Sequence, residues 1–417
     1  MWTSRIAAAL ILGLPAFASA QTVEATALTL LAGRQDPRDG TVHTVVPAIE
    51  DIWISARDLD IPGIDATKIV VSGWGMVSSG DLIDGSDNVT GDLDLAFFEG
   101  KIFGRHLTLR AGRQLVSSGV ARNLQLDGLD LVAKGPLGLG LEAYGGVPVV
   151  PRFAYGHGQS VAGGRLFWRP AQVFEGGMSF VQIFDDGRTD RQELGADARV
   201  VVSDKVTLSG LAAFSVIEER LSEAQLRLLW QAKRNFELTL EAGRTAPDLF
   251  ISRASIFSVF AEETRDEAGT TLYFRPWSHL RLWADGFVLS DDSGTGGRGG
   301  LRASVSFDSA NATQVGVEGR VLALPSSRYV QGRLFGSHRF EHKVTATIDC
   351  DAVVLDPAIN GQDLSVTFAA TLGWDFLPGW KAVLVGVTGE TPLLEWRVEG
   401  MAKLAYMFDY HATRVTP

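Results

Sequence analysis

The sequence predicts an all-β, single-domain fold: one antiparallel transmembrane β-barrel of about 18–22 strands, with no plug domain. Three observations predict it. Runs of about 11–13 residues with alternating apolar and polar side chains repeat along the chain. The links between them alternate in length. No apolar run after residue 20 is long enough for a spanning helix, whereas a transmembrane strand needs only about 9–11 residues.

The last of these runs, 393–408, has the clearest pattern. It reads LLEWRVEGMAKLAYMF, in which apolar residues such as Trp396 and Phe408 alternate with Glu395 and Arg397. Successive side chains of a strand point to opposite faces, so this run has one apolar face and one charged face. Its aromatic end is typical of a strand that meets lipid headgroups. We expect the barrel-assembly machinery to recognise this strand.

The first twenty residues predict export. A basic Arg5 precedes an apolar stretch, 6–17, and Ala18-Ser19-Ala20 forms a small-residue cleavage site. This pattern is typical of a secretory signal peptide over 1–20, with the barrel occupying 21–417. An uncleaved anchor helix is the alternative, but the apolar stretch is shorter than the roughly 20 residues that a spanning helix needs. The expected location is the outer membrane.

The predicted strands follow one another without interruption by other elements. In chain order the predicted strands are 24–34, 46–58, 66–78, 91–103, 107–117, 124–134, 138–148, 159–169, 171–183, 191–202, 206–217, 221–233, 236–246, 266–276, 279–290, 298–308, 312–322, 328–338, 342–354, 362–374, 379–389 and 393–408. Short turns typically lie at the periplasmic end of such barrels and longer loops at the outer end. If 24–34 is the first strand, both termini are periplasmic.

Composition and charge exclude some classes of function. The net charge of −11 argues against nucleic-acid binding, which needs a basic surface. Cys350 is the only cysteine, so neither an internal disulfide nor a cysteine-based metal site can form. Alternation places Cys350 on the lipid-facing side. No catalytic serine elbow or zinc-binding histidine pair occurs, and we expect neither an enzyme nor a cofactor.

Charged residues at alternate positions are predicted to line the pore, because an arginine or lysine facing lipid at the midplane costs about 2–4 kcal/mol. The candidate pore-lining residues are Arg165, Arg199, Arg227, Arg281, Asp285, Arg302, Glu318, Arg320, Arg333, Asp349, Asp351, Glu395, Arg397 and Glu399. Facing rows of opposite charge would create a transverse field that acts on passing solutes. Alternatively, the charge pairs brace the wall of a wide barrel, and both interpretations stay open.

The longest link, 247–265, is a candidate constriction loop. It carries Phe250, Ile256, Phe257 and Phe260, which is unusual for a loop in water. Exposed apolar clusters mark an interaction surface or a buried one. We expect the link to fold into the barrel or to cap its mouth. The alternative is an outward extension that packs on a neighbouring subunit or on lipopolysaccharide.

Two smaller patterns bear on the strands. The sequences at 28–35, 107–114 and 238–245 share the pattern LTLxAGR, which predicts leucines toward lipid and an arginine at the outer rim or turned inward at a bulge. The glycine-rich segment 294–299 satisfies a dinucleotide-binding pattern but leads into another alternating run rather than a helix. It is therefore predicted to be an outer loop.

The second repeat continues as AGRQLVSSGVARNLQLDGLDL. Over 107–131 this spacing of Gly-Arg-Gln, Gly, Arg and Asp-Gly-Leu resembles alginate-export-like barrels and other large porins of Gram-negative outer membranes. The resemblance implies an outer-membrane channel. It covers about one hairpin, and an alginate or polysaccharide substrate does not carry over to this chain.

The function predicted from these observations is porin-like, passive passage of small polar or anionic solutes through a charged lumen. The alternative is a non-transporting barrel that acts as a structural anchor or assembly partner in the envelope. In either case we expect outer-membrane lipid and lipopolysaccharide as partners, and no nucleic acid. The oligomeric state stays open.

Overall fold

The computed structural model describes residues 22–38, 41–79, 88–149, 158–251, 264–308 and 310–411. These residues form a closed antiparallel β-barrel whose strands pair mainly with their neighbours in sequence. The only helical segments among them are three single 3-10 turns at Gly119–Ala121, Pro136–Gly138 and Pro247–Leu249. No helix in this part of the chain has the length and apolar character needed to cross a membrane.

The strands are long. The first half contains β1 (Thr22–Arg38), β2 (Thr41–Val45), β3 (Pro47–Arg57), β4 (Ala66–Ser78), β5 (Val89–Ile102), β6 (Leu107–Val116), β7 (Leu124–Lys134), β8 (Leu139–Pro148), β9 (Ser160–Ala171), β10 (Phe174–Asp185), β11 (Arg188–Ser203) and β12 (Val206–Ser215). The second half contains β13 (Arg220–Lys233), β14 (Phe236–Thr245), β15 (Arg265–Trp277), β16 (Leu280–Asp291), β17 (Gly294–Ser306), β18 (Thr313–Ala323), β19 (Arg328–Arg339), β20 (Val344–Ile359), β21 (Gln362–Leu377), β22 (Trp380–Thr391) and β23 (Leu394–His411).

The barrel wall consists of 22 strands, although 23 segments are numbered. The segments β2 and β3 both pair with β1 and form one strand interrupted at Val46. Closure is made by β1 and β23, whose register runs from the pair Thr22 and His411 to the pair Gly33 and Gly400. In the described residues each strand except the short β2 is paired on both sides, so the wall closes on itself. The predicted all-β single barrel is confirmed, and the strand count lies at the upper end of the predicted range.

The exterior is apolar and carries aromatic residues at one end. Leu301 and Ile348 are more than two-thirds exposed on the outer face. At the end that carries the termini, outward-facing rings from neighbouring strands meet, as in the pair Trp230 and Phe236 at 5.9 Å and the pair Trp380 and Tyr406 at 4.5 Å. Such a girdle is typical where a barrel wall meets the headgroup layer. The greasy exterior and its girdle are those of a membrane-spanning barrel.

The links at the opposite end are more varied than predicted. Four of them are tight two-residue turns, at 186–187, 292–293, 360–361 and 392–393. The prediction that 294–299 forms a loop is wrong, since these glycines begin β17 and pair with β16. Glycine removes the side-chain alternation on which a strand prediction depends, while leaving the backbone free to pair.

The three LTLxAGR repeats do not share one orientation. Leu109 and Leu240 face outward as predicted, and the rim arginine of the third repeat, Arg244, lies on the outer face with Asp266 at 3.4 Å. In the first repeat the prediction is wrong, because Leu30 pairs with Lys403 on the inner face. The same sequence therefore turns its leucines inward when the register of the closing strands requires it.

Candidate functional site: the lumen and its inner loop

The predicted pore-lining residues share the inner face of the wall. The registers place on that face Arg165, Arg199, Arg227, Arg281, Asp285, Arg302, Glu318, Arg320, Arg333, Asp349, Asp351, Glu395, Arg397 and Glu399. This distribution follows from the period of two in each strand. That these side chains line a water-filled pore stays a prediction.

One side of the lumen, which we call the arginine wall, is formed by β17 to β19. It carries Arg298, Arg302, Arg320 and Arg333 on adjacent strands. Glu318, whose side chain is only 5% exposed, lies among them and pairs with Arg320 at 2.5 Å and with Arg333 at 3.6 Å. The wall therefore has an excess of positive charge around one buried carboxylate.

The side of the lumen formed by β3 to β7 carries both signs of charge, and we call it the mixed wall. Its inward carboxylates Glu99 and Asp130 lie among the inward cations Lys68, Lys101 and Arg110, and Arg110 pairs with Glu99 at 2.7 Å. Around the closed ring, β5 and β17 are separated by twelve strand steps in one direction and ten in the other. The mixed wall and the arginine wall thus stand nearly opposite each other.

A second feature of the lumen is the link 117–123 between β6 and β7, which we call the inner loop. It folds inward and contacts β10 and β11. The backbone N–H of Val120 donates to Ser179 Oγ at 3.1 Å, and Arg191 donates to the carbonyl oxygen of Val120 at 2.8 Å. Gly119 has a φ of +51°, and a Cβ there would lie 2.3 Å from Ser179 Oγ. Only glycine allows this approach.

Arg122 anchors the end of the inner loop to distant strands. It donates to Glu193 at 2.8 Å and to Glu223 at 2.7 Å. Glu193 is fully buried and also accepts from Ser222 and Arg191. Burial alone would lower the pKa of Arg122, but its bonds to the two carboxylates raise that pKa above its ordinary value. A buried charge network of this kind is stable only when every member is paired.

The inner loop also covers an apolar cluster inside the barrel. Val116, Leu126, Val181 and Val120 are at most 4% exposed and belong to one cluster of buried residues. These side chains face the lumen in the register, so their burial comes from the loop and from one another. The sector from β6 to β13 is therefore packed like a protein core, unlike the sector of the arginine wall.

The candidate constriction loop is only partly described. Phe250, at its start, stacks on Arg122 with 4.1 Å between the guanidinium carbon and the ring centroid. Ile256, Phe257 and Phe260 lie outside the described residues. The sequence did not predict the inner loop or the partners of its Arg122, which are Glu193 and Glu223 on other strands. The link itself resembles an ordinary polar connection. Its one unusual signal is an arginine between two apolar strands.

Aromatic side chains on the inner face were also missed. Phe335 lies over Gly316, and Arg302 and Arg333 stack on its ring at 4.6 and 5.2 Å. Phe287 lies over Gly269 and carries Arg298 at 4.2 Å. Such contacts orient a guanidinium group along the wall. In the described residues, no group of three or more His, Cys, Asp and Glu side chains could hold a metal ion.

Comparisons with known proteins give distant likenesses only. No family model and no curated protein matches the sequence. Among solved structures, the translocation pore of the P pilus usher PapC has a TM-score of 0.47 at 9% identity, over 93% of this chain and 99% of the other. OpdK of Pseudomonas aeruginosa, solved with vanillate, has a TM-score of 0.43 at 9% identity, over 93% and 98%. OccK3 of the same organism has 0.44 at 10% identity, over 96% and 99%.

The class of this protein follows from its own geometry. A closed wall of 22 antiparallel strands with an apolar exterior, an aromatic girdle and inward charges has the architecture of a porin-like outer-membrane β-barrel. The resemblance over 107–131 falls on the hairpin of β6 and β7, which carries the inner loop. The location predicted from the sequence agrees with this class.

Proposed function

We propose that the chain is a passive channel for small polar solutes, with a preference for anions, and that the inner loop narrows its lumen. The arrangement that carries the proposal is the arginine wall, whose guanidinium groups lie nearly opposite the mixed wall. A solute between them experiences a transverse field, which orders its charged groups as it passes. The excess of guanidinium groups around Glu318 supports the preference for anions.

The proposal includes the partners expected from the sequence. Outer-membrane lipid and lipopolysaccharide would contact the apolar exterior, and the barrel-assembly machinery would engage β23. The signal peptide over 1–20 lies outside the described residues and stays a prediction.

A planar-bilayer recording of the full chain tests the channel function. We expect discrete conductance steps and, in a potassium chloride gradient, a reversal potential of the sign that indicates anion preference. The double variant Arg302→Gln/Arg320→Gln should shift that potential toward cations, because two lumen charges are lost. The matched control is Arg244→Gln, which removes an outward-facing arginine and should leave the reversal potential unchanged.

The same recording separates the alternative, a non-transporting anchor. An anchor with a sealed lumen should give no steps at any voltage, and that result would refute the channel. Steps with a cation preference would keep the channel but refute its preference for anions.

A further inference from the structure

A three-layer arrangement recurs on the inner face of the wall. A glycine on one strand leaves a shallow slot, an aromatic ring from the neighbouring strand lies in it, and an arginine stacks on the ring. The clearest example is Gly316, Phe335 and Arg302. A Cβ at Gly316 would lie 2.2 Å from Phe335 Cζ, so the ring rests directly on the glycine.

The arrangement occurs at separate places in the barrel. Phe287 lies over Gly269, where a Cβ would be 2.5 Å from the ring, and Arg298 lies 4.2 Å from its centroid. Phe167 lies over Gly140, where a Cβ would be 2.1 Å from Phe167 Cζ. Arg165 lies 5.5 Å from the Phe167 centroid.

A fourth example has a looser fit. Trp283 lies over Gly300, with a distance of 3.0 Å, and Arg320 lies 5.9 Å from its ring. In the three examples with phenylalanine, the glycine and the aromatic residue are direct partners in the register of adjacent strands. The slot and the ring are therefore matched by strand pairing.

The arrangement has a physical consequence for the arginines. A ring that fills a glycine slot lies flat on the wall and occupies little of the lumen. Its exposed face attracts a guanidinium group and orients the plane of that group. Arginine side chains lose much rotamer freedom when they are ordered, and a stacked arginine has already lost part of it before a solute arrives.

We propose that Phe335, Phe287 and Trp283 are positioning residues that hold the guanidinium groups of the arginine wall in the orientation that discriminates among solutes. Gly316 and Gly269 are part of the same arrangement, because a side chain at these positions would displace the ring from the wall. The inference rests on the proposed channel function and assigns its selectivity to residues that carry no charge.

Arg302 is the best arginine on which to test the idea. Within the described part of the chain it has no carboxylate at ion-pair distance, and its guanidinium group stacks on the ring of Phe335. Arg333, by contrast, also pairs with Asp349. Removing the ring should therefore release Arg302 more than Arg333.

The experiment measures the ratio of chloride to potassium permeability of the full-length protein in a planar bilayer. Phe335→Leu keeps an apolar side chain but removes the aromatic face, and it should reduce the ratio by about threefold, the size expected for a partly exposed cation–π contact. Phe335→Tyr keeps the ring and should retain the wild-type ratio. The matched control Phe368→Leu changes a lipid-facing phenylalanine and should have no effect.

Two further variants approach the same stack from its other layers. Gly316→Ala should displace the ring and reduce the ratio as Phe335→Leu does. Arg302→Lys keeps the charge but lacks the planar group, so it should also reduce the ratio. If Phe335→Leu or Gly316→Ala fails to insert into the bilayer, Arg302→Lys still decides the question.

The outcomes separate this inference from the function on which it rests. A wild-type protein without conductance, or without anion preference, refutes the proposed function. An anion-selective wild type whose ratio is unchanged in Arg302→Lys and Phe335→Leu refutes the positioning role alone. A loss in Phe335→Tyr equal to that in Phe335→Leu would also refute it.

Discussion

Two buried glutamates of the barrel, Glu193 and Glu318, differ in what their arginine partners belong to. Glu193, in the sector from β6 to β13, is fully buried and binds Arg122 and Arg191, of which Arg122 belongs to the inner loop. Glu318, in the arginine wall, is nearly as buried but binds only arginines of the wall itself. Similar ion-pair chemistry therefore fastens the inner loop to the wall in one sector and joins only wall residues in the other.

The two sectors differ in how far the arginines that pair with each glutamate are exposed to solvent. Arg122 and Arg191 are 21% and 11% exposed, whereas Arg320 and Arg333 are 49% and 37% exposed. Water screens the pairs of the arginine wall, and screened pairs contribute little to stability. The packed sector should therefore determine how firmly the barrel resists unfolding, and the open sector which solutes pass.

Separate removal of the two carboxylates should give the largest difference between the sectors. Glu193→Ala leaves two arginines without their shared acceptor, and we expect the free energy of unfolding to fall by about 3–5 kcal/mol. The released inner loop should also raise single-channel conductance. Glu318→Ala should cost about 1 kcal/mol and leave conductance nearly constant. Denaturant titration in detergent and bilayer recording measure the two effects. Equal losses in both variants would contradict the assignment of roles.

The apolar part of the packed sector gives the next largest effect. Leu126 is fully buried beneath the inner loop, and Leu126→Ala should lower the free energy of unfolding by about 3 kcal/mol, because a cavity remains. Leu301, on the outer face, is 69% exposed. Leu301→Ala should cost less, since lipid can occupy the vacated space. The same denaturant titration compares the two, and a larger loss in Leu301→Ala would show that the cluster does not support the wall.

A glycine pair isolates the contact between the inner loop and the wall. Gly119→Ala combines a positive φ with a Cβ placed 2.3 Å from Ser179 Oγ, and we expect a loss of about 1–3 kcal/mol. Gly187 also has a positive φ, +78°, but nothing lies within 4 Å of its Cβ position. Gly187→Ala should therefore cost only about 1 kcal/mol of backbone strain. If thermal unfolding shows the same loss for both, the loop does not press on β10.

The smallest effect is expected for an exposed lumen pair. Arg227 and Glu241 are 3.2 Å apart, with side chains that are 56% and 35% exposed. Arg227→Gln should change the free energy of unfolding by less than about 1 kcal/mol. Because such a pair is screened, added salt should reduce even this difference. A loss as large as that of Glu193→Ala would mean that exposed pairs on the inner face also hold the barrel together.

The wall of the barrel was predictable because it depends on a local pattern. Alternation in β4 and β7 gave their bounds to the residue, and the fourteen candidate lining residues fall on one face. Where the pattern was weak, at Gly294 in β17, the prediction was wrong. The reversed face of Leu30 was not predictable either, since it is set by pairing with a strand at the other end of the chain.

The inner loop was beyond sequence reasoning for a different reason. Arg122 reaches Glu193 and Glu223 across sequence separations of 71 and 101 residues, so no local window contains the partners that pull the loop inward. The glycine slots beneath Phe335 and Phe287 have the same origin. Each needs the strand register before the glycine and the ring can be seen as partners.

The pairing of β1 with β23 also constrains how the ring is made. Thr22 meets His411 across 389 positions of sequence, so the seam cannot form until translation of the last strand is complete. Until then the growing sheet has two unpaired edges, each ready to join another chain. Closing so long a loop carries an entropic penalty that local contacts cannot offset early. A nascent chain of this topology therefore needs chaperones until it reaches the bilayer. A chain truncated before β23 should remain an open sheet that aggregates through its unpaired edges.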